Sequence, residues 1–237
     1  MGPPFRVERL AATECPQQLI YLALHNDYSE DFNPTTTLDE AECGKIVVDR
    51  LLKGNRGHWG VLEHPHLSLI LQADHNTIMQ LRTHRVGLSF DVQSMRYSGT
   101  RIQKVATGEI PPEQVFYTRP VGDYHDRDGK RYSWTEADQQ QALEWAKRSA
   151  VRYHQLRQQG VVEEDARGAL VTSYFQNAVV TGNARSWLHL LDVRLKGNAQ
   201  DEVRELMKLV ALQVQRWIPE TYAWYKEHRE SKAILAP

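Results

Sequence analysis

The most informative stretch of the chain runs from Gln80 to Arg101 and reads Q-L-R-T-H-R-V-G-L-S-F-D-V-Q-S-M-R-Y-S-G-T-R. It holds four arginines and a histidine, and Asp91 is its only acidic residue. Apolar residues are interleaved with these cations, which predicts a partly buried segment rather than a solvated run of charge. Buried guanidinium groups need partners, which either nearby carboxylates or an anionic ligand can supply.

The composition is that of a soluble globular protein. The 237 residues are 41% apolar and 25% charged, and the formal net charge is -1. That balance removes the bulk electrostatic basis for binding nucleic acid or a membrane surface. The sequence shows neither an apolar run of about 18 residues nor a secretory signal, and Cys15 and Cys43 lack metal-site spacing. We expect a cytoplasmic protein with reduced thiols and with no membrane or nucleic-acid partner.

Hydrophobic periodicity and capping signals predict the elements of the first half. They are a strand within 1–12, a helix capped by Thr13 and running to Asn26, a helix from a capping box at Thr37–Glu40 to Leu52 that ends at 54–57, a strand over 66–73 and a helix over 75–84. The chain should leave the helical region at Gly87, and M-R-Y-S (95–98) is predicted to be extended.

The second half is predicted to be rich in helices. Residues 104–133 are expected to be irregular, with a turn at Asp128-Gly129. The predicted helices are one from a capping box at Ser133–Glu136 to Gln159 with Gly160 just beyond it, segments over 163–180, 183–195 and 199–217, and a final helix from Pro219 to His228. A mobile tail is expected from about 229. The simplest account is one compact α/β domain of the α+β type over 1–237.

Outside the opening stretch, three segments could carry chemistry. In N-A-R-S-W-L-H-L-L-D-V-R (183–194), Arg185 and His189 lie one helical turn apart and share a face. By itself that helix also fits a surface helix with an intrahelical Arg–Asp or His–Asp contact. Arg167 follows Asp165 near a predicted helix start, where a solvated arginine is common. The cluster His58, Glu63, His64 and His66 does not match zinc-site spacing, so we expect no metal.

Sequence signatures of nucleophilic catalysis and of nucleotide-binding loops are missing. The sequence contains no GxSxG, Walker or GxGxxG motif, and neither cysteine has a histidine near it in sequence. Arginines, amides, serines and histidines are instead the groups that hold phosphates and a planar heterocycle, because guanidinium forks bind phosphate and stack on rings.

Three motifs together resemble the flavin-dependent thymidylate synthase family. T-H-R (83–85), eight residues and S-M-R-Y-S resemble its signature of Arg-His-Arg, seven or eight residues and Ser, with Gln80 at the family's upstream Gln. The 183–194 motif resembles N-A-R-S-L-x-H/N-F-L-x-L-R. Gly57-His58 and Glu63-His64 match G-H-x-x-x-x-E-H. The resemblance covers roughly 57–200.

The resemblance implies an α/β enzyme that methylates dUMP at C5 to give dTMP. Methylenetetrahydrofolate would donate the carbon, and FAD reduced by NADPH would supply the hydride, without an enzyme nucleophile. It also implies a homotetramer whose active sites are shared between subunits. The residue roles it implies are FAD binding by Ser29, His58, Thr83, His84, Arg85, Asn183, Arg185 and His189, dUMP binding by Gln80, Arg82, Gln93, Ser94, Arg96 and Arg167, and a catalytic contact of Arg194 with the uracil.

The chain departs from the family signature at one position. Thr83 stands where the first Arg is usual, and Arg82 is displaced by one residue. The contact of that Arg is then made either by the Thr83 hydroxyl or by Arg82 after a local backbone change. With eight intervening residues, Asp91, Val92 and Gln93 are all candidates for a position that is often Glu.

Two other functions fit part of the pattern. A related flavin and folate enzyme could make another C5-modified deoxyuridylate, such as the hydroxymethyl product, with the same pyrimidine contacts. A non-catalytic nucleic-acid-binding protein could use the basic stretch, although the near-zero net charge argues against it.

Overall fold

The fold is mixed α/β, as the sequence predicts. A computed structural model describes residues 5–53, 58–126 and 128–230. Its strands are β1 (Arg6–Ala12), β2 (His66–Asp74), β3 (Leu88–Val92), β4 (Gly122–His125), β5 (Arg131–Trp134) and β6 (Phe175–Asn183). The helices are α1 (Pro16–Asn26), α2 (Glu40–Val47), α3 (His75–Arg82), α4 (Thr100–Thr107), α5 (Glu136–Gln158), α6 (Glu163–Ala166), α7 (Ala184–Arg194), α8 (Asp201–Trp217) and α9 (Pro219–His228).

Short helical turns complete the described elements. A π-helical turn spans Val48–Leu52, and 3-10 turns span Trp59–Glu63, Pro112–Gln114 and Arg167–Ala169. The predicted helix end at 54–57, which includes Gly57 of the upstream motif, lies outside the described residues, as does the predicted mobile tail beyond 230. In the described ranges no helix is long and apolar enough to cross a bilayer.

Four strands form a sheet in the order β1-β2-β6-β3. Burial alternates along β2, where Leu67, Leu69 and Leu71 are buried, and the predicted strand over 66–73 is confirmed. β6 alternates in the same way, so the helix predicted over 163–180 is wrong beyond its first turn. The β-branched run Val179-Val180-Thr181 suits a strand with a partner on each side. The neighbours of β6 in the sheet, β2 and β3, are distant in sequence, so the local pattern does not indicate them.

The chain divides into two compact units. The first unit consists of the described part of Met1–Phe5, Gln72–Arg82 and Asp91–Ala178. In its core α4 packs against α5, and Ile102, Phe116 and Tyr153 are among the buried side chains. β4 and β5 pair as an antiparallel hairpin. The prediction that 104–133 is irregular is therefore wrong, although Gly129, at φ 83°, lies at the predicted turn.

The second unit consists of the described part of Arg6–Leu71, Thr83–Phe90 and Val179–Pro237. α8 contacts β1, α7 and α9. The indole of Trp187 on α7 is fully buried and donates from Nε1 to the Leu67 carbonyl at 3.1 Å, which fixes α7 against β2. That the whole chain forms a single domain stays a prediction.

Both capping boxes lie two residues beyond their predicted positions. Asp39 caps α2 and exchanges hydrogen bonds with Glu42, while Thr135 caps α5 and does so with Asp138. In each case two overlapping patterns satisfy the capping rule, and the structure uses the later one. Thr13 does not cap α1, because its hydroxyl accepts a hydrogen bond from the His66 amide at 3.1 Å.

The opening stretch also differs from its predicted conformation. α3 ends at Arg82, and residues 88–92 form β3. M-R-Y-S is not extended, because the Tyr97 amide donates to the Ser94 carbonyl at 3.2 Å and closes a turn. Gly160 does follow α5, with φ 84°, and the predicted helices over 183–195, 199–217 and 219–228 are confirmed within one or two residues.

Gly87 forms the turn that connects the T-H-R segment (83–85) to β3. Its φ is 67°, in the left-handed region that favours glycine. A Cβ at this position would approach the Ser186 side-chain oxygen on α7 to 2.0 Å. Backbone conformation and space therefore both require glycine here, and the close approach brings residues 83–87 next to the start of α7.

We expect Gly87→Ala to lower the free energy of unfolding by about 2–5 kcal/mol, from positive-φ strain and overpacking together. Gly160→Ala is the matched control, because Gly160 has φ 84° but nothing lies within 4 Å of its added Cβ. The control should cost only the backbone component, about 1–2 kcal/mol. Urea unfolding of both variants measures the difference, and equal losses would contradict the packing role of Gly87.

Candidate active site

The site in the second unit is built on a hydrogen bond between Arg194 and His84. Arg194, the last residue of α7, donates from Nε to His84 Nε2 at 2.8 Å. Its Nη2 lies 3.4 Å from the Thr83 hydroxyl. Two segments separated by 110 residues thus meet at one guanidinium, and the structure brings together three predicted site residues from two motifs.

The electrostatics of this contact keep His84 neutral. Burial lowers the pKa of His84, and the neighbouring charges of Arg194 and His189 lower it further. An imidazole that accepts at Nε2 must be neutral and carry its proton on Nδ1. Burial also lowers the pKa of Arg194, but a guanidinium remains protonated at physiological pH. The site therefore presents one fixed cation beside a neutral imidazole.

The start of α7 places two more predicted cofactor-binding residues. Asn183 caps the helix, with its side-chain oxygen accepting from the Ser186 amide at 2.8 Å. Arg185 forms an ion pair with Glu63 at 2.6 Å, while His189 one turn later is half-buried. Glu63 is the partner that sequence reasoning missed, although it stands in one of the three motifs.

The burial of α7 excludes the alternative of a surface helix, because seven of its side chains are buried. The Asp192 side chain is fully buried and pairs with Arg229, just beyond α9, at 3.4 Å. Burial raises the pKa of Asp192, and the charge of Arg229 opposes that rise. The Asp192–Arg229 ion pair thus joins the last turn of α7 to the residue that follows α9.

His58 borders a cleft of about 550 Å³ in the second unit. The cleft is lined by Leu19, Ala23, Asn26, Asp27, His58, Gly60, Val61 and His64. Apolar walls with a few polar groups are typical of sites for small molecules and cofactors. Ser29 is not among the lining residues of this cleft. Its hydroxyl donates to the Asp31 carbonyl at 3.2 Å within its own loop. Arg85 is exposed after α3.

The first unit holds the predicted nucleotide residues in two groups. Ser94 shapes a turn by accepting from the Arg96 amide at 3.3 Å. Gln93 is tied to β6, with its amide donating to the Asn177 carbonyl at 2.8 Å. Gln80 and Arg82 are exposed on α3, and the Arg82 guanidinium lies 3.8 Å from the Met79 sulfur.

Glu164 links the two arginines predicted to bind phosphate. Its carboxylate contacts Arg96 Nη2 at 2.8 Å, and its carbonyl accepts from Arg167 Nε at 3.3 Å. No motif predicts a role for Glu164, although it stands three residues before Arg167. The structure thus brings Arg96 and Arg167 together through a residue that the motifs did not identify.

Arg101, Tyr174 and His75 form a further polar cluster in the first unit. Arg101 donates to the Phe175 carbonyl, and the Tyr174 hydroxyl lies 3.2 Å from His75 Nδ1. Burial raises the pKa of Tyr174, while the charges of Arg167 and Arg101 oppose the rise. Arg101 was visible in the opening stretch, but nothing local shows that it turns inward.

No metal centre is seen in residues 5–53, 58–126 and 128–230, where no group of three or more His, Cys, Asp and Glu side chains could hold an ion. The Cys43 thiol is an unsuitable nucleophile, because burial and the acidic residues at the start of α2 raise its pKa to about 11. The described site consists of cations, imidazoles and amides.

Sequence comparison places this combination of fold and site in a class of nucleotide-modifying enzymes. The family described as "Thymidylate synthase complementing protein" (Thy1) matches residues 9–220. The solved structure of a UMP/dUMP methylase, PolB from Streptomyces cacaoi, bound with 5-Br dUMP, shares the fold with a TM-score of 0.74 at 20% identity. That match covers 100% of this chain and 99% of PolB.

Curated relatives narrow the class to one family. The chain is 32% identical to a flavin-dependent thymidylate synthase from Halobacterium salinarum, over 98% of this chain and all of that protein. It is 30% identical to one from Haloarcula marismortui, over 98% and 99% of the two chains. The chain belongs to the flavin-dependent thymidylate synthase family and is an enzyme of that type.

The Arg194–His84 contact predicts a measurable pKa. The pKa of His84 should lie below that of a free imidazole, about 6.5. Because the pKa is lowered in the folded state, neutral His84 adds to the free energy of unfolding at pH values above the unfolded-state pKa. This contribution is lost as the pH falls through the folded-state pKa. In an NMR titration, Arg194→Met should raise the His84 pKa, while Arg216→Met, the same charge change on α8, should leave it in place. An unchanged His84 pKa in Arg194→Met would contradict the assignment.

Proposed function

We propose that this enzyme converts dUMP to dTMP by reductive methylation at C5. Methylenetetrahydrofolate donates the one-carbon unit, and NADPH provides the reducing equivalents through bound FAD. Overall, dUMP, methylenetetrahydrofolate, NADPH and a proton give dTMP, tetrahydrofolate and NADP⁺. The observation that carries the proposal is the Arg194–His84 hydrogen bond, because it unites the family's two cationic motifs around one fixed guanidinium.

The donor set in the second unit suits a flavin nucleotide. Arg85, Arg185 and His189 provide hydrogen-bond donors for phosphate and for ring oxygen and nitrogen atoms. The neutral His84 imidazole can stack on a planar ring or exchange a hydrogen bond with it. Ser29, His58, Thr83 and Asn183 complete the cofactor-binding set that we propose. When bound, the flavin carries the hydride that the one-carbon unit requires.

Arg194 acts on the pyrimidine in this proposal. The guanidinium is held in place by His84 and is therefore preorganised. It does not have to reorient when negative charge develops on a nearby ring. Placed beside the uracil, it favours ionisation at N3 and makes C5 more nucleophilic. This activation removes the need for a protein nucleophile, which agrees with the raised pKa of Cys43.

The first unit supplies the nucleotide-phosphate contacts. Arg96 and Arg167 meet at Glu164, and Ser94 holds the turn that presents Arg96. Gln80, Arg82 and Gln93 complete the proposed substrate-binding set. That PolB, which shares this fold, is a methylase bound with 5-Br dUMP supports a pyrimidine nucleotide as the substrate. We also propose a cytoplasmic homotetramer with shared active sites, as the family resemblance implies.

We expect Arg194→Ala to lower the rate of dTMP formation roughly 10²–10³-fold, because it removes the cation that stabilises developing charge. Flavin absorbance per protein should be largely retained. Arg216→Ala, at an exposed position on α8, is the matched control and should keep both properties. Normal dTMP formation by Arg194→Ala would contradict its role, and a colourless wild-type protein that takes up no FAD would contradict the proposed function.

A further inference from the structure

We propose that Glu164 is a built-in competitor for the nucleotide phosphate. This inference rests on the proposed function and deepens it, because it assigns a specificity-determining residue to the phosphate site. The carboxylate of Glu164 holds Arg96, and substrate phosphate must draw that guanidinium away. Glu164 therefore sets an upper limit on the affinity for both substrate and product.

The geometry gives Glu164 contact with both phosphate-binding arginines. Its Oε1 lies 2.8 Å from Arg96 Nη2, and its carbonyl accepts from Arg167 Nε at 3.3 Å. A carboxylate resembles a phosphate in presenting paired anionic oxygens to a guanidinium. A nucleotide phosphate that reaches Arg96 would meet a negative charge already on the same group, and like charges repel.

Exposure makes this contact easy to exchange. The side chain of Arg96 is 50% exposed and that of Glu164 is 41% exposed, so water screens the ion pair. An exposed pair of this kind contributes little to stability. A phosphate with close to two negative charges competes well against a single carboxylate. The ion pair is therefore weak enough to yield to the substrate, yet strong enough to weaken its binding measurably.

The backbone around Arg96 keeps the guanidinium available for such an exchange. Ser94 accepts from the Arg96 amide, and the Tyr97 amide donates to the Ser94 carbonyl. The turn fixes the Arg96 backbone, while the guanidinium also lies 5.7 Å from the Tyr97 ring centre. Only the side chain has to move when phosphate replaces Glu164. Because dTMP carries the same phosphate as dUMP, the competition also weakens binding of the product.

The test is calorimetric titration of the flavin-loaded protein with dUMP, dTMP and deoxyuridine. Glu164→Gln keeps the shape and removes the charge, so it should bind dUMP and dTMP roughly two- to fivefold more tightly. Deoxyuridine, which has no phosphate, should bind equally to both proteins. Glu109→Gln is the matched control, because Glu109 forms an exposed ion pair with Lys104 at 2.7 Å in the same unit. It should change none of the three affinities.

A double-mutant cycle identifies the route of the effect. In an Arg96→Ala background, which itself should bind dUMP more weakly, Glu164→Gln should give no further gain. Equal or weaker dUMP binding by Glu164→Gln, or a gain that persists without Arg96, would overturn the role of Glu164. Failure of the wild-type protein to bind dUMP would instead overturn the proposed function, so the two failures are distinguishable.

Discussion

The hydrogen bond from Arg194 Nε to His84 Nε2 is the interaction on which the account of the catalytic side depends. It requires a neutral imidazole, which is favoured because burial and the charge of Arg194 lower the pKa of His84. It also fixes a guanidinium that would otherwise sample many rotamers at the end of a helix. This contact joins the segment after α3 to the last turn of α7.

Three contacts made by α7 position Arg194 for that interaction. The Asn183 cap sets the start of the helix, the buried indole of Trp187 fixes it to β2, and the Asp192–Arg229 pair holds its last turn. Gly87 permits the close approach of the preceding segment to Ser186. Thr83 also contacts Arg194. Its hydroxyl provides a neutral acceptor for Arg194, whereas the family's usual Arg would place a second cation there.

Much of this could be predicted from local sequence, and the rest depends on distant partners. Hydrophobic periodicity along 66–73 and along 183–195 is a local signal, and both elements are predicted correctly from it. β6 was mistaken for helix because its strand character comes from β2 and β3 on either side. The partners of the site residues come from far along the chain, as with Glu63, 122 residues from Arg185. Motifs identified the cations, but neither Glu63 nor Glu164 could be paired with them before the fold was known.

The product formed from isotopically labelled dUMP shows which reaction the enzyme catalyses. Purified protein is incubated with labelled dUMP, methylenetetrahydrofolate, FAD and NADPH, and the nucleotides are separated and identified by mass spectrometry. If the enzyme methylates dUMP reductively, the label appears in dTMP and NADPH is consumed in equal amount. A hydroxymethyl product, or unchanged dUMP beside a fully flavin-loaded protein, would contradict reductive methylation.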